Sequence, residues 1–348
     1  MKLETRNTNL VLTDFSLKNH NTFALDVCCR CFFEPANEQE LLQFVDTQQI
    51  KKHSFFVLGG GSNVLLMGDF EGCIIHPAMN FIRKTDENDD DVFLQAGAGV
   101  VWDDFVQYCV QHNYYGVENL SWIPGCVGAA PVQNIGAYGV EAQQVIHSVR
   151  YLDLACNTFK TIANADCCFG YRSSIFKQSL KNKAIVTAVT FALQKKPLLQ
   201  THYEVLKQEL ARRGEDVTLQ NVRDTVIHIR KNKLPDPAVT GNAGSFFKNP
   251  VVSKEKAAQL RNVHSTMPCY DSNDEVKISA AWLIEQCGWR GKRKGNVGVH
   301  PQQALVIVNY GGATGSEVLA LSQAIADDVF QQFDIQLDRE VCVVDNYK

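Results

Sequence analysis

The chain has 348 residues, 45% of them hydrophobic and 21% charged, and its 34 Lys and Arg face 38 Asp and Glu for a formal charge of -4. That length exceeds one ordinary core and predicts two or three domains. With no basic block, the balance argues against nucleic acid or an anionic membrane surface as the main partner, while a local cationic pocket for a phosphorylated ligand stays compatible with it. The opening MKLETRNTNLVLTDFSLKNHNTF lacks the apolar core and cleavage site of a signal peptide. No apolar run approaches the roughly 20 residues that span a bilayer, so no membrane association and a cytoplasmic location are expected. The twelve cysteines include no C-x-x-C pair, and H-E-x-x-H is absent, so no metal is expected. Cys28, Cys29 and Cys31 crowd one strand-like segment and Cys167 adjoins Cys168; buried free thiols acting as small hydrophobes are the expected reading.

In chain order, NEQELLQFVDTQQI at 37–50 places Leu41, Leu42 and Val45 on one helical face. SFFVLGGGSNVLL follows as a strand, a glycine turn and a second apolar strand. Past the acidic turn DENDDD at 86–91, VFLQAGAGVVWDDFVQYCVQHN reads as a strand, a glycine turn and a helix with Phe105, Val106, Cys109 and Val110 facing inward. Two strand-like segments, HSVRYLDLAC and AIVTAVTFAL, bracket CCFGYRSSIFK at 167–177. Their roughly alternating pattern predicts an α+β domain, not a doubly wound sheet. KKPLLQTHYEVLKQELARRG brings a proline break and a helix ending at Gly214, and the next helix carries Val222, Val226 and Ile229 on one face. Pro235 and Pro237, in KNKLPDPAVTGNAGSFFKNP, mark the expected domain boundary. Beyond it the chain reads as a separate α/β layer. SAAWLIEQCGW is helical, ALVIVN a buried strand, TGSEVLALSQAIADDVFQQF a long helix with Thr314 and Glu317 at capping-box spacing, and IQLDREVCVV a closing strand.

Chemistry concentrates in glycine-rich stretches. GGGSN, Gly59 to Asn63, ends a strand, where successive N–H groups make an anion-binding concavity and bare glycines admit a diphosphate. It has neither the Lys-Ser/Thr of a Walker loop nor the spacing of a Rossmann turn, and GAGVVW at 97–102 fails the same test because Trp102 takes the third glycine position. Singly, each is a hairpin turn as readily as a ligand loop. IPGCVGAAPVQNIGAYG, Ile123 to Gly139, adds Gly125, Gly128, Gly136 and Gly139, with Gln133, Asn134 and Tyr138 as hydrogen-bonding or stacking groups. Together these loops suit a large dinucleotide lying across an α+β domain.

VLGGGSNVLL, WIPGCVGAAPVQNIGAYG, GYRSSIFK, KLPDPAVTGNAGSFFKNP and HPQQALVIVN, in this order over nearly the whole chain, closely resemble the UDP-N-acetylenolpyruvoylglucosamine reductases. These flavoenzymes complete UDP-N-acetylmuramic acid for bacterial peptidoglycan and the cell wall. The resemblance implies an α+β fold: an FAD-binding region of the vanillyl-alcohol-oxidase (PCMH) type in two subdomains, plus a C-terminal α/β substrate-binding domain. The expected divisions are 1–75, with a C-terminal strand at about 336–348 returning near it; 76–232, with a substrate loop at about 196–214; and 233–335. LQTHYEVLKQEL resembles the extra loop of the family's longer type. Non-covalent FAD is expected at Gly59, Gly60, Gly61, Ser62, Asn63, Ile123, Pro124, Gly125, Gly128, Ala129, Gln133, Asn134, Gly136, Ala137 and Tyr138. NADPH is expected as hydride donor, a sugar nucleotide as substrate, and a monomer as the working form.

Hydride addition to C3 of an enol ether meets an electron-rich alkene, so a cation and a proton donor are required. Arg172, in GYRSS, can bind a carboxylate bidentately and favour an enolate-like intermediate. The resemblance implies Ser245, in NAGSFFKNP, as proton donor to C2, and Glu340, in LDREVCVV, as the catalytic glutamate with a raised pKa or a compensating cation. Without it, a surface arginine, a turn serine beside Gly244 and an exposed glutamate on a last strand are the plainer readings. It also implies substrate contacts from Tyr171, Tyr203, Lys233, Asn249 and Gln303, with the register of Gln302 against Gln303 open. Cys126 stands where the family usually has a small hydroxyl residue, and Asp338-Arg339-Glu340-Val341-Cys342 departs from the commoner proline-containing form. Two rivals stand beside this reading. One is a flavin oxidase of the same superfamily acting on a sugar or hydroxy acid, with Cys126 as a covalent anchor; the other is a non-catalytic nucleotide-sugar or flavin-binding protein.

Overall fold

The structure, a computed structural model, describes residues 11–46, 54–272 and 274–346. Backbone contacts divide the chain into two compact units. The first holds Cys29–Gly60 and Glu71–Arg230 with the residues up to Phe15; the second holds Ser16–Cys28, Gly61–Phe70 and the chain from Lys231 on.

The first unit contains a five-stranded antiparallel sheet ordered Thr158–Ala163, Ile146–Asp153, Ala184–Gln194, Asp91–Gly97, Ile82–Glu87. The two alternating segments seen in sequence are thus direct neighbours, with Val149 opposite Val189 and Leu152 opposite Ile185. Helix Trp102–Gln111 buries the predicted Phe105, Val106, Cys109 and Val110 together with Trp102. The Phe105 and Phe191 ring centroids are 4.4 Å apart, and the Trp102 indole N–H donates to the Leu120 carbonyl at 2.8 Å. Each such fully buried aromatic contributes on the order of 2–3 kcal/mol of transfer free energy.

A four-stranded sheet is ordered Leu12–Ser16, Cys28–Phe33, Phe70–Ile75, Phe55–Val57. Helix Glu38–Asp46 inserts Leu41, Phe44 and Val45 into one cluster with Phe33, Ile75, Leu152 and Ile185. Leu42 is only half-buried, and positions 47–50 of the predicted helix lie outside the described residues. At the start of this helix Glu38 receives Arg150 Nε at 2.7 Å and Nη2 at 2.8 Å, and the Thr187 hydroxyl at 2.6 Å. Burial pushes the Glu38 carboxyl up, but these hydrogen bonds prevail and hold it below its ordinary value.

The cysteine reading needs correction here. Cys31 and Cys73 form a disulfide. They sit on adjacent strands with Cα atoms 4.4 Å apart, a proximity that a sequence separation of 42 conceals. Cys29, Cys109 and Cys167 are buried free thiols as expected, whereas Cys156, Cys168 and Cys342 are exposed.

Helix Glu204–Arg213 stops at Gly214, which adopts φ 64°. Its Leu206 and Leu210 pack against Val222, Val226 and Ile229 of helix Leu219–Lys233. The latter helix is fixed further by Arg223, which grips Asp103 at 2.7 and 2.8 Å. Asp103 also accepts the Trp122 amide at 2.6 Å.

In the second unit an antiparallel sheet runs Gly241–Ser245, Val306–Asn309, Val297–Val299, Arg293–Lys294, and a smaller one Val251–Ser253, Glu275–Ile278, Cys269–Ser272. Helix Gly315–Phe333 opens with the expected capping box, Glu317 N–H donating to Thr314 Oγ1 at 3.2 Å and Thr314 N–H to Glu317 Oε2 at 2.8 Å. The predicted closing strand is shorter than its pattern suggests. Only Cys342–Val344 pairs, in parallel with Val64–Leu66. Upstream, Ile335, Leu337 and Val341 are buried, but the only bridge in that stretch, among the described residues, joins Arg339 to Phe247. The alternation there records burial, not pairing.

Asp103→Ala should destabilise the protein by about 3 kcal/mol at neutral pH, because Arg223, 6% exposed, would be left buried without its partner. Burial raises the Asp103 pKa, yet the Arg223 and Trp122 hydrogen bonds win and hold it below the ordinary value. Its stabilising share is therefore present above the unfolded aspartate pKa of about 3.9 and lost as pH falls through the lower folded value. Urea denaturation should show the gap between wild type and variant closing below about pH 4; a gap unchanged by acid would refute the assignment.

Candidate functional site

Strand Phe55–Val57 runs parallel to Phe70–Ile75 and leads into Gly59 and Gly60. A Cβ placed on Gly60 would lie 2.8 Å from Gly125 Cα, and one on Gly128 2.6 Å from Ala98 Cβ. Val127 N–H donates to the Val100 carbonyl at 2.8 Å, Gly128 N–H to Ala98 at 2.9 Å, and Trp102 N–H to the Gly125 carbonyl at 2.9 Å. Three loops of the first unit therefore press backbone on backbone, and loop packing alone demands glycine at 60 and 128. Gly59 differs, since its Cβ would meet Ala129 at an ordinary 3.6 Å.

Ile123, Pro124 and Ala129 line the same turn, half-buried or exposed. Asn134 is buried and spends its amide inside the protein: Nδ2 donates to Glu141 Oε2 at 2.8 Å and to the Gly170 carbonyl at 3.1 Å, and Oδ1 accepts the Gln143 amide at 2.9 Å. Gly136–Ala137 pairs with Val140–Glu141 in a short hairpin. Gln133 stands half-buried beside it. Tyr138, at φ 49°, meets the Tyr203 ring edge-on with centroids 5.6 Å apart, and burial pushes its hydroxyl pKa up.

Arg172 has φ 53°; its Nη2 donates to the Gly136 carbonyl at 3.3 Å and its guanidinium lies 5.4 Å from the Tyr171 ring centroid. The sequence reading missed its companion, Arg230. Arg230 Nε donates to the Trp122 carbonyl at 3.0 Å. Burial pulls the Arg230 pKa below its usual value, Tyr138 and Asp103 oppose that shift, and Arg172 adds to it as a like charge. Asp103 is already held bidentately by Arg223. The signal was available: Arg230 continues the i+4 series Val222, Val226 along the buried helix stripe.

In the second unit, strand Gly241–Ser245 is interrupted by a bulge. Gly244 takes φ 67° and donates its N–H to Asn242 Oδ1 at 2.9 Å. Such a bulge re-aims the residue after it, here Ser245. One residue on, the Phe246 carbonyl accepts the Glu340 amide at 2.8 Å, and Asn63 Nδ2 donates to the Glu340 carbonyl at 3.3 Å. The fold thus brings Ser245, Glu340 and Asn63 together, with Gly61 and Ser62 just before Asn63 in the same unit. Asn249 Oδ1 accepts the Ala280 amide at 3.0 Å, at the start of helix Ala280–Gln286. Gln303 is buried and Gln302 exposed. Lys233 is exposed at its helix end and Tyr203 is exposed at the start of Glu204–Arg213.

In the first unit the cations Arg172 and Arg230 suit an anionic ligand, and the diphosphate of a flavin dinucleotide is one. Residues 29–160 match the FAD binding domain family. That match on an α+β fold defines an FAD-binding oxidoreductase with an added C-terminal domain. Residues 236–344 match the UDP-N-acetylenolpyruvoylglucosamine reductase C-terminal domain. The chain is 46% identical to the UDP-N-acetylenolpyruvoylglucosamine reductase of Bacteroides fragilis strain YCH46, covering 94% of this chain and 98% of the relative. It is 46% identical to the reductase of that name from Neisseria gonorrhoeae, covering 93% and 94%. The solved UDP-N-acetylenolpyruvylglucosamine reductase of Thermus caldophilus shares the fold with a TM-score of 0.68 at 22% identity, over 97% of this chain and 100% of that one. The chain belongs to the UDP-N-acetylenolpyruvoylglucosamine reductase family.

Gly128→Ala should cost about 1–3 kcal/mol by overpacking against Ala98, while Gly59→Ala should cost under about 1 kcal/mol. Thermal or urea unfolding of the flavin-free protein checks this, and equal effects at the two positions would contradict the loop-packing account.

Proposed function

We propose that the protein reduces UDP-N-acetylglucosamine enolpyruvate to UDP-N-acetylmuramate with NADPH, a step of bacterial peptidoglycan synthesis, as a cytoplasmic monomer with the three-domain division given above. The observation that carries this reading is the backbone hydrogen bond from Glu340 to Phe246, the residue next to Ser245, in a chain of this family. Among the described residues no helix is long and apolar enough to cross a membrane.

FAD, when bound, supplies hydride transfer between NADPH and C3 of the substrate. Gly59 to Asn63, Ile123 to Gly125, Gly128, Ala129, Gln133, Asn134 and Gly136 to Tyr138 would hold it. Arg172 takes the substrate carboxylate, where charge develops as the double bond is saturated. Ser245 gives the proton to C2. A serine hydroxyl is a weak acid in water, so it serves only because the carbanion is far more basic and the bulge at Gly244 fixes its direction. Glu340 is the second acid–base group, acting protonated or against a cation, since an ionised form would repel the substrate carboxylate. Tyr203 and Lys233 meet the diphosphate, and Asn249 and Gln303 the sugar or uridine, with Tyr171 alongside Arg172. Burial pushes the Cys126 thiol up, which keeps it protonated and a poor nucleophile. The covalent-flavin oxidase reading gains nothing from that.

Purified protein should show flavin absorbance that bleaches with NADPH under anaerobic conditions and returns on adding UDP-N-acetylglucosamine enolpyruvate. Ser245→Ala should bleach normally and reoxidise with substrate about 10²–10⁴-fold more slowly. Normal turnover by that variant would remove Ser245 from the mechanism, recovery by oxygen alone would favour an oxidase, and a colourless protein inert with added FAD would overturn the proposal.

A further inference from the structure

We propose that Asn119 is a positioning residue for substrate binding, whose side-chain amide clamps segment 199–203 onto the 134–139 loop and so sets where Tyr203 stands. This rests on the placement of Tyr203 at the substrate proposed above.

Asn119 is fully buried. Its Nδ2 donates to the Tyr138 carbonyl at 2.9 Å and to the Gln200 carbonyl at 2.8 Å. Those two acceptors belong to separate segments, the loop ending at Tyr138 and the strap leading to Tyr203. Both amide hydrogens are spent on joining them. Two further contacts lie beside the clamp: the Tyr138 and Tyr203 rings meet edge-on at 5.6 Å, and the Cβ position of Gly139 lies 3.2 Å from His202 Nε2.

The base of the clamp is rigid. Asn119 lies in the turn Glu118–Leu120, where Leu120 O receives the Trp102 indole at 2.8 Å and Glu118 Oε2 receives the Gly116 amide at 2.7 Å. Trp102 and Glu118 are each 1% exposed. Tyr138 and Leu199 pack in turn on Leu206, Leu210, Val222, Val226 and Ile229.

Asn119 Oδ1 has no hydrogen-bond partner among the described residues. A buried acceptor left unmade is a cost to folding. If the position served packing alone, leucine of similar volume would do so without that cost. The two donations are what the amide contributes.

The test is a double-mutant cycle on the FAD-loaded enzyme, with UDP as the calorimetric probe. Asn119→Leu should weaken UDP binding about tenfold or more, leaving the flavin absorbance spectrum close to wild type. Tyr203→Ala should weaken it too, and the double variant should bind UDP within about twofold of Tyr203→Ala. Wild-type UDP affinity in Asn119→Leu, with Tyr203→Ala impaired, overturns the clamp alone; so does an Asn119→Leu effect that persists undiminished in the Tyr203→Ala background. Wild-type affinity in Tyr203→Ala removes Tyr203 from the substrate and the clamp with it. Should Asn119→Leu fail to retain FAD, Asn119→Ser, which fits the same space but cannot reach both carbonyls, decides by the same cycle.

Discussion

Backbone segments in the first unit approach more closely than side chains permit, and the arrangement of its loops follows from that constraint. Where Gly60 lies on Gly125 and Gly128 on Ala98, any Cβ would force the loops apart. The hydrogen bonds that lace 97–102 to 125–128 would lengthen with them. Because helix Trp102–Gln111 begins inside this lacing, its N-terminus, Asp103 and the Trp122 amide that Asp103 accepts are all fixed by the same contact. Helix Leu219–Lys233 is then tied to Asp103 through Arg223. A glycine pair thus reaches, through two short steps, the helix that carries Arg230.

The second unit solves a different problem with a different device. Ser245 stands at a strand end and is aimed apart from the regular alternation. One inserted residue in the left-handed region, Gly244, achieves this. The facing stretch around Glu340 makes too few ladder bonds to be a strand, so it is held by buried Ile335, Leu337 and Val341 and by Asn63. Backbone pinned by side chains leaves the direction of Glu340 independent of strand pleat.

Much of this was legible in sequence where the signal is local. The Phe105–Val110 stripe, the Thr314–Glu317 capping box and the Gly214 helix stop each depend on residues within one or two turns. What escaped depends on contacts far apart in the chain. The Cys31–Cys73 bond needs two strands to be neighbours, which nothing near either cysteine encodes. The glycines of the loops announced close approach, but sequence could not say that Gly60 and Gly128 approach protein. IQLDREVCVV alternates because it is buried against the unit, and alternation cannot distinguish that from pairing. Asn119 sits in an ordinary turn between Glu118 and Leu120, and its partners come from positions 19 and 81 residues away.

Electrostatics gives these separate features a common direction. Desolvation pulls the Arg230 pKa down and Arg172 adds to that as a like charge, so this guanidinium is costly to hold. The nearest relief, Asp103, is committed to Arg223. A fold selected for stability alone would have placed a second carboxylate there or an apolar residue at position 230, since a fully packed apolar substitute often costs less than a buried charge. Keeping two cations instead, beside a tyrosine hydroxyl that burial holds protonated, leaves a positive field already oriented before any ligand arrives. Preorganised charge of this kind stabilises negative charge without the reorganisation that water would require. The Asn119 oxygen, without a hydrogen-bond partner among the described residues, belongs to the same pattern: in both places the first unit bears a folding cost that packing alone does not require.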